Sequence, residues 1–348
     1  MPAEWEPHAA TWIGWPHNKS DWPGKFAPIP WVYAEIVRKL SPGERVRILV
    51  NSVAHEAEAR RVLTKAGVDL ARVEFLRFAT NRGWTRDFGP IFVRRDGALA
   101  IARFHFNAWA KYADWKKDDR VPALAAKRLK LRAVEPKVDG RPVILEGGSI
   151  DVNGRGSLLT TEECLLHPTV QARNPLLHRA DIEGVLEDHL GATNVLWLGR
   201  GIAGDDTHGH VDDVCRFAGP RTVLLCREDD PKDVNYEPLA ENRERLQEMH
   251  AEDGSKLEVV ELPMPAPVVF DGVRLPASYA NFYVANAAVL VPTFNDPKDR
   301  LALGILGEVF SDRPVVGIHA LDLVWGLGTL HCLTQQEPKA LEGWKVGR

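Results

Sequence analysis

A single pattern recurs along this 348-residue chain and limits the folds open to it. Each copy begins with a polar, glycine-containing loop, continues with two short apolar stretches around a tight turn, and ends with a helical pattern and another apolar stretch. The turns fall at Gly97, Gly154, Gly219 and Asn286, in steps of 57, 65 and 67 residues. Asp-Gly and Asn-Gly pairs between apolar runs are typical of β-hairpins. The sequence therefore predicts four hairpin-helix-strand units, with helices at residues 175–190, 241–252 and 298–310.

A fifth unit is predicted from the two ends of the chain. Residues 326–337 supply its loop, residues 10–15 supply a strand, and residues 31–40 and 45–50 repeat the helix-then-strand order. A near-regular period with one polar loop per unit favours radial repetition. We therefore expect an α/β fold, a five-bladed α/β propeller, as a single catalytic domain over residues 1–348 that both chain ends close together. A doubly wound parallel sheet is the alternative, although parallel strands are not joined by hairpins.

Composition narrows the possible partners and the compartment. The chain has 44 Lys and Arg against 48 Asp and Glu, a net charge of −4, which is too near neutral to predict nucleic-acid binding. No apolar stretch approaches the ~20 residues of a membrane helix, and the acidic start of the chain is not typical of a signal peptide. The four cysteines include no Cys-x-x-Cys pair, which disfavours a disulfide framework or a structural zinc site. We expect a cytoplasmic protein that contacts neither nucleic acid nor membrane.

Cys332 has the sequence context of a nucleophile. It lies among glycines and polar residues in the stretch 326–336, and a reactive thiolate needs access and nearby positive potential. Cys164, Cys215 and Cys226 lie in apolar strand patterns and are predicted to be packed thiols, as most free cysteines are. Cys332 is therefore the candidate for covalent catalysis.

The segment 205–213 concentrates histidines and aspartates. At strand spacing, His208, His210 and Asp212 would point to one side. One interpretation is a general acid/base histidine beside a carboxylate, and another is a ligand set for a divalent metal ion. A plain polar loop is the third interpretation, and the segment alone leaves all three open.

Two further carboxylates occupy equivalent positions in successive units. Asp87 and Glu146 each stand at the entry to a predicted hairpin, as His210 and Asp212 do, and Cys332 occupies the counterpart loop. Acidic residues are common near turns, so the shared placement is the stronger argument, because radial symmetry would bring these loops together. Carboxylates pair bidentately with a guanidinium, whose central carbon a thiolate can attack. The residues thus indicate thiol-dependent chemistry on a small cationic guanidino compound.

Five segments of the sequence resemble a known family. They are residues 1–8, Trp-Thr-Arg-Asp-Phe-Gly-Pro at 84–90, Glu-Gly-Gly at 146–148, Thr-His-Gly-His-Val-Asp at 207–212 and His-Cys-Leu-Thr-Gln-Gln at 331–336. In this order they resemble agmatine deiminase and its bacterial peptidylarginine deiminase relatives, from Met1 to about Pro338. The resemblance implies a five-bladed α/β propeller of the guanidino-group-modifying superfamily, with no metal and no cofactor, and a possible homodimer.

The resemblance also implies a role for each candidate residue. Cys332 is the implied nucleophile, His210 the general acid/base, and Glu146 the carboxylate that pairs with this histidine. The implied reaction turns agmatine into N-carbamoylputrescine and ammonia through a covalent thiouronium, a step toward putrescine and other polyamines. Asp87 and Asp212 are implied to hold the guanidinium, and the substrate-binding residues are Trp84, Asp87, Asp212 and Asp206.

Four positions depart from the family's usual pattern and bear on the substrate. Leu327 and Thr329 stand where the family usually has glycines and an asparagine before the His-Cys pair, and His208 and Asp213 replace other usual residues. All four adjoin catalytic groups without replacing one. They bear on whether the substrate is agmatine.

Other activities remain as alternatives. A deiminase of free arginine or of peptidylarginine would act on a substrate with a carboxylate or a backbone, so an arginine near the pocket, such as Arg82 or Arg86, would favour it. A metal-dependent ureohydrolase built on His208, His210 and Asp212 is more distant, as is a propeller that binds cations or proteins without catalysis.

Overall fold

The computed structural model describes residues 1–95 and 97–340 and has a mixed α/β fold. The strands are β1 (His8–Gly14), β2 (Arg45–Leu49), β3 (Val73–Leu76), β4 (Ile91–Arg95), β5 (Ala98–Ala102), β6 (Arg132–Val134), β7 (Lys137–Val138), β8 (Arg141–Pro142), β9 (Asp151–Val152), β10 (Ser157–Thr161), β11 (Asn194–Leu198), β12 (Cys215–Phe217), β13 (Thr222–Arg227), β14 (Glu258–Pro263), β15 (Val269–Phe270), β16 (Val273–Arg274), β17 (Tyr283–Val284), β18 (Val289–Thr293), β19 (Val315–His319) and β20 (Thr334–Pro338). The α-helices are α1 (Ile29–Leu40), α2 (Val53–Lys65), α3 (Thr85–Phe88), α4 (Val121–Leu129), α5 (Glu162–Leu166), α6 (Arg179–Leu190), α7 (Tyr236–Glu248), α8 (Lys298–Val309) and α9 (Leu330–Leu333). Within the described residues, no helix is long and apolar enough to cross a membrane.

Five sheets repeat one topology. Their strand orders are β4-β5-β6, β9-β10-β11, β12-β13-β14, β17-β18-β19 and β20-β1-β2-β3. In each, the first two strands are antiparallel and the third runs parallel to the second. The predicted hairpin-helix-strand units are thereby confirmed, and so is the predicted pairing of the two chain ends, because β20 lies antiparallel to β1. Asp96, in the turn predicted for the first hairpin, lies outside the described residues.

Two predicted helices are displaced along the chain. The helix predicted to begin at Pro175 begins at Arg179 instead, because the His178 backbone N–H donates to the Asp181 carboxylate in a capping box that fixes the start there. The helix predicted at residues 241–252 is α7, which begins at Tyr236 and ends at Glu248. Helix α8, by contrast, begins at Lys298 as predicted.

Buried aromatic side chains connect the hydrophobic core to the wall of the candidate site. Helix α1 buries Tyr33, Val37 and Leu40, which recur at the spacing of one helix face. Trp22 is fully buried, packs 5.3 Å from Trp84 between ring centroids, and donates its indole N–H to the Leu323 carbonyl. Each large apolar side chain buried in this way stabilises the fold by roughly 1.5–3 kcal/mol. This packing fixes the position of Trp84.

The segment just before the first strand of each sheet carries a polar residue of the candidate site. Such segments are short and enter a paired strand directly, so the sheets determine where their side chains lie. The residues are Asp87 in α3 before β4, Glu146 before β9, His210 and Asp212 before β12, Asn281 before β17, and Cys332 in α9 before β20.

Candidate active site

A cavity of about 190 Å³ lies beside the Cys332 thiol. Cys332 is only 6% exposed, yet it forms part of the cavity wall. Gly328 allows the close approach, because a Cβ there would lie 2.8 Å from the Trp84 ring and 3.2 Å from the Cys332 sulfur. The lining residues are Ser20, Asp21, Arg82, Trp84, Asp87, Trp109, Tyr112, Asp206, Thr207, Gly326, Leu327 and Cys332.

Burial and carboxylates together keep the Cys332 thiol protonated in the free protein. Desolvation, followed by the nearby charges of Asp212 and Asp213, raises the pKa of Cys332 well above its ordinary value. The sulfur lies 3.8 Å from Asp212 Oδ2, to which the thiol donates, and it accepts a 3.1 Å hydrogen bond from Asn281 Nδ2. A cation placed beside the sulfur would stabilise the thiolate.

His210 faces three carboxylates at distances slightly beyond a hydrogen bond. Its Nδ1 lies 3.7 Å from Asp87 Oδ1 and 4.0 Å from Asp212 Oδ1, and its Nε2 lies 3.7 Å from Glu146 Oε2. Neither ring nitrogen has a hydrogen-bond partner among the described residues. Burial would lower the pKa of His210, but Asp87, followed by Cys164 and Glu146, raises it well above its ordinary value. His210 is therefore cationic and free to exchange a proton.

Asp87 is held by two N–H donors in a dry environment. The Trp109 indole donates to Oδ2 at 2.9 Å and the Gly148 backbone N–H donates to Oδ1 at 3.1 Å. Desolvation raises the pKa of Asp87 to about 7 despite the nearby His210. Position 148 must be glycine, because a Cβ would come within 2.6 Å of His210 Nδ1 and 2.7 Å of Asp87 Oδ1.

Glu146 is an ionised carboxylate with one open oxygen. Both Glu146 and Arg173 are fully buried, and Arg173 Nε donates to Glu146 Oε1 at 3.1 Å. Burial is the largest influence and acts to raise the pKa of Glu146, but Arg173 and His210 together outweigh it and lower the pKa to about 2. Its second oxygen, the one that faces His210, accepts no hydrogen bond from any residue that the structure describes.

Asp212 begins a chain of paired charges that leads away from the cavity. His331 Nδ1 lies 2.6 Å from Asp212 Oδ2, and His331 Nε2 lies 2.8 Å from Glu4 Oε2. Glu4 in turn pairs with Arg86 at 3.2 Å and with Arg216 at 3.0 Å. Burial acts to raise the pKa of Asp212, but His331, together with the charges of His210 and Arg216, outweighs burial, so the net shift of the pKa is downward. The N-terminal segment thus fixes the carboxylate next to the nucleophile.

Asn281 organises the nucleophile segment from the fourth sheet. Its Nδ2 donates to the Cys332 sulfur and, at 3.0 Å, to Asp213 Oδ1. Its Oδ1 accepts from Thr329 Oγ1 at 2.7 Å and from the His331 backbone N–H at 3.0 Å. Two of the four positions that depart from the family pattern, Thr329 and Asp213, are therefore both partners of this one amide.

The outer part of the cavity carries compensated charges. Asp206 accepts from the Lys111 ammonium and, at 2.7 Å, from the Tyr112 hydroxyl. The Arg82 guanidinium pairs with the Asp21 carboxylate and lies 3.2 Å from Asp114. Three carboxylates thus face two basic side chains, so the net charge at this end of the cavity is negative.

The other residues singled out around the pocket have different settings. Arg86 points away from the cavity, because its guanidinium donates to the Gln336 side chain and pairs with Glu4. Leu327, in contrast, lines the cavity with a left-handed φ of 68°.

The predicted residues come together, with one exception. Cys332, Asp87 and Asp212 surround His210 or the cavity as predicted, and Glu146 contacts His210. His208 does not join them. It has a left-handed φ of 65°, and its Nδ1 lies 3.6 Å from Glu163.

The metal interpretation of His208, His210 and Asp212 is wrong. Alternation in an extended strand would have aligned the three side chains, but the backbone turns at His208 and residues Val211–Asp213 form a 3₁₀ turn. Within the described part of the chain, the three donors form no group at metal-ligand spacing.

Several residues of the site carry no clear signal in the sequence. The prediction that Cys164 lies in a strand is wrong, because it lies in α5, beside His210 and Glu146. Trp109 reaches Asp87 only because residues 108–110 all adopt left-handed φ values of 51–59°. Asn281 stands at the predicted entry to the fourth hairpin, so its position in the repeat was the one available clue.

Comparison with known proteins matches almost the whole chain. Residues 1–338 match the family described as Porphyromonas-type peptidyl-arginine deiminase. An agmatine deiminase of Stutzerimonas stutzeri is 37% identical over 97% of this chain and 95% of its own length. An agmatine deiminase of Pseudomonas aeruginosa is 36% identical with the same coverage.

Solved structures agree with the sequence comparison. The agmatine deiminase of Enterococcus faecalis superposes with a TM-score of 0.90 at 32% identity, covering 98% of this chain and 96% of that protein. A cysteine-to-serine variant of C. jejuni agmatine deiminase with substrate bound superposes with a TM-score of 0.86, at the same identity and coverage.

Proposed function

The chain belongs to the Porphyromonas-type peptidyl-arginine deiminase family, and on this premise we propose that it hydrolyses agmatine to N-carbamoylputrescine and ammonia. One observation carries the proposal. Segments ahead of four separate sheets place the Cys332 thiol and the Asp87 carboxylate in the wall of one small cavity, with His210 beside Asp87 and Glu146, and Asp212 beside the thiol. The agmatine deiminase relatives and structures support the choice of substrate.

The guanidinium of the substrate enters between the carboxylates that face the thiol. Asp87 and Asp212 accept its N–H groups, since both carboxylates lie beside the reacting groups and a guanidinium pairs with carboxylates through parallel hydrogen bonds. Trp84 forms the wall beside Cys332, and Asp206, which also pairs with Lys111, stands at the outer end, where three carboxylates against two cations favour a cationic tail. Binding of the cation lowers the pKa of Cys332, which the same carboxylates otherwise raise.

Cys332 then attacks the central carbon of the guanidinium. The thiol proton leaves to a carboxylate or solvent, a carbon–sulfur bond forms, and the intermediate becomes tetrahedral. His210 donates its proton to a departing amino group, the carbon–nitrogen bond breaks, and ammonia leaves. A covalent thiouronium remains on Cys332. Asn281 stabilises the sulfur before attack through its 3.1 Å hydrogen bond.

Water completes the reaction from the His210 side. The histidine, neutral after the first proton transfer, takes a proton from water as the oxygen attacks the thiouronium carbon. The hydroxyl proton of the tetrahedral intermediate passes to solvent as the carbon–sulfur bond breaks, Cys332 leaves as a thiolate, and the neutral ureido product departs. Glu146 holds the imidazolium by its charge and is itself kept ionised by Arg173.

We also infer an architecture around this centre. Five sheets of one topology, with site residues ahead of their first strands, support an arrangement of five blades about a common axis. Residues 1–348 would then form a single catalytic domain closed by β1 and β20. We propose a cytoplasmic enzyme of polyamine biosynthesis and a possible homodimer, with a small guanidino cation as its partner and neither nucleic acid nor membrane.

Product analysis tests the activity. We would incubate the purified protein with agmatine, L-arginine and an arginine peptide, each with and without a chelator, and separate ureido products from urea by mass spectrometry. We expect N-carbamoylputrescine from agmatine and no loss of rate on addition of the chelator. Urea, or a rate that the chelator lowers, would support the ureohydrolase alternative and contradict the proposal.

A second candidate is deimination of arginine, and one observation favours it. Arg82 lines the cavity and could meet the carboxylate that agmatine lacks. Its charge is already compensated by Asp21 and Asp114, however, which favours agmatine. Citrulline formed faster than N-carbamoylputrescine would decide for arginine, and Arg82→Gln would then lower the arginine rate selectively.

A further inference from the structure

One buried thiol beside the reacting groups has no part in the proposed reaction. Cys164 is 1% exposed and lies next to His210 and Glu146. One ligand atom from each of these three residues lies within 4.8 Å of the other two. A thiol, an imidazole and a carboxylate are the donor types that zinc takes in proteins.

Several polar atoms of this cluster lack a hydrogen-bond partner among the described residues. Both ring nitrogens of His210 and Glu146 Oε2 are buried without a hydrogen-bond partner in the described part of the molecule. Buried polar atoms are rarely left so. The separation of His210 Nε2 from Glu146 Oε2 is 3.7 Å, and ligands on one tetrahedral zinc lie about 3.3–3.6 Å apart. A shift of about 1 Å in the Cys164 side chain would bring its sulfur to zinc–thiolate distance.

The surroundings of the cluster suit a bound cation. A metal-binding histidine usually turns its other ring nitrogen toward a carboxylate, and His210 Nδ1 faces Asp87 and Asp212. Arg173 opposes the cation, but it is paired with Glu146 Oε1 and leaves Oε2 open. Two further carboxylates therefore balance the charge that Arg173 adds.

We propose that Cys164, His210 and Glu146 form a binding site for a thiophilic divalent cation, Zn²⁺ above all, whose occupancy inhibits the enzyme. Binding forms bonds from the cation to one sulfur, one nitrogen and one oxygen, and it releases the protons of the Cys164 thiol and of His210 Nε2 to solvent. His210 then lacks the proton that the departing amino group needs. The binding does not depend on the proposed function, whereas the inhibition does.

Cobalt tests the site without turnover. Co²⁺ is the probe, because a cysteine thiolate bound to it gives a near-ultraviolet charge-transfer absorption. We expect this absorption on titration of the apo-protein, and its loss when Zn²⁺ is added in competition. We expect it to persist in Cys332→Ser and in the control Cys215→Ala, another fully buried cysteine. Absence of binding to the wild-type protein up to about 1 mM would overturn the proposal.

Variants of the cluster identify the ligands. Cys164→Ala and Cys164→Ser should both lose the absorption. Loss of a residue that only hydrogen-bonds to a ligand usually lowers metal affinity by about 10- to 100-fold, so loss of the ligand itself should weaken Zn²⁺ binding by at least that factor. His210→Asn, used for binding alone, should weaken it comparably and covers the case that neither Cys164 variant folds. Absorption that survives in Cys164→Ala, or disappears in Cys332→Ser, would contradict the assignment.

Inhibition is measured separately on agmatine, relative to the metal-free rate of each variant. Zn²⁺ should inhibit the wild-type protein and Cys215→Ala, and should inhibit Cys164→Ala only at 10-fold higher concentration or more, about the lower limit of the affinity loss. Equal inhibition of all three would overturn the inhibitory role. If agmatine is not turned over at all, the cobalt titration still decides whether the site exists.

Discussion

Two buried histidines face Asp212, the carboxylate to which the Cys332 thiol donates, and their settings differ. His331 has both ring nitrogens occupied, by Asp212 at 2.6 Å and by Glu4 at 2.8 Å. His210 has carboxylates around it at 3.7–4.0 Å and a hydrogen bond to none of the described residues. A saturated imidazole fixes its neighbours, while an unsaturated one can still give and take a proton. His210, whose ring nitrogens have no hydrogen-bond partner among the described residues, is therefore the reacting group, and His331, whose ring nitrogens are both hydrogen-bonded, is the supporting one.

The same contrast extends outward from each histidine. Behind His331, Glu4 accepts from the Val284 backbone N–H and pairs with Arg216, which reaches Asp151 at 3.2 Å. In front of His210, Glu146 keeps one oxygen open. The paired side chains behind His331 contribute mainly to stability, whereas the side chains around His210, which keep free hydrogen-bonding atoms, contribute mainly to catalysis.

The largest expected effect comes from the region around His210. His210→Asn removes the proton carrier, so kcat should fall by about 10²–10⁴-fold, the usual contribution of general acid–base catalysis. Thermal stability should also fall, because Asp87, Glu146 and Asp212 lose the buried positive charge that faces them, but the loss of kcat should be the larger effect. Steady-state kinetics on agmatine with a melting curve measures both. A large loss of Tm with modest loss of kcat would invert the comparison.

The region behind His331 should respond in stability. Glu4→Gln removes the carboxylate between His331, Arg86 and Arg216, and leaves buried cations without compensation, at a cost of about 3–5 kcal/mol. Denaturant unfolding gives the free energy. Glu35→Gln, on the exposed face of α1, is the matched control and should change stability little.

Asn281 connects the two regions and should give an intermediate result. Asn281→Ala removes the hydrogen bond to the Cys332 sulfur, and a bond to a charged group contributes about 1.5–3 kcal/mol, or roughly 10- to 100-fold in kcat/KM. The pKa of Cys332 should rise further, which alkylation rates across pH would detect. Asn281→Asp keeps the shape and adds a repelling charge, so it should alkylate more slowly still. Unchanged alkylation in both variants would remove Asn281 from the mechanism.

The smallest expected effect is a displacement of the pH profile. Asp87 must be ionised to bind the guanidinium, and its pKa in the free protein is about 7, so kcat/KM should rise with pH through about 7. Trp109→Phe deletes an N–H donor that favours the ionised form, and it should move this limb upward by about one pH unit or less. Trp31→Phe, at an exposed position, should leave the limb in place.

The same raised pKa sets the sign of the stability term from Asp87. The folded protein holds this proton more tightly than the unfolded chain does, so this residue contributes most below its unfolded pKa near 4. The contribution is lost as pH rises toward about 7. Above pH 7 the ionised Asp87 that binds the guanidinium therefore contributes less to folding stability than the protonated form does at low pH.

Local signals in the sequence were sufficient for the repeat and for the main site residues. Hairpin turns are set by neighbouring residues, which is why the strands on either side of Gly154, Gly219 and Asn286 pair antiparallel as predicted. Only the family resemblance singled out His210 over His331, because the hydrogen bonds that occupy His331 depend on partners such as Glu4, 327 positions away. It misplaced His208 because a left-handed residue breaks strand alternation.

The pairing of β1 with β20 also has a consequence for synthesis on the ribosome. Four sheets can form as the chain emerges, since each uses strands from neighbouring segments. The fifth sheet joins strands that are about the full length of the described chain apart, and Glu4 meets His331 only when that sheet closes. Contacts between such distant segments form late and slowly. In a nascent chain the thiol therefore meets its carboxylates only after the strands of the other four sheets have been synthesised.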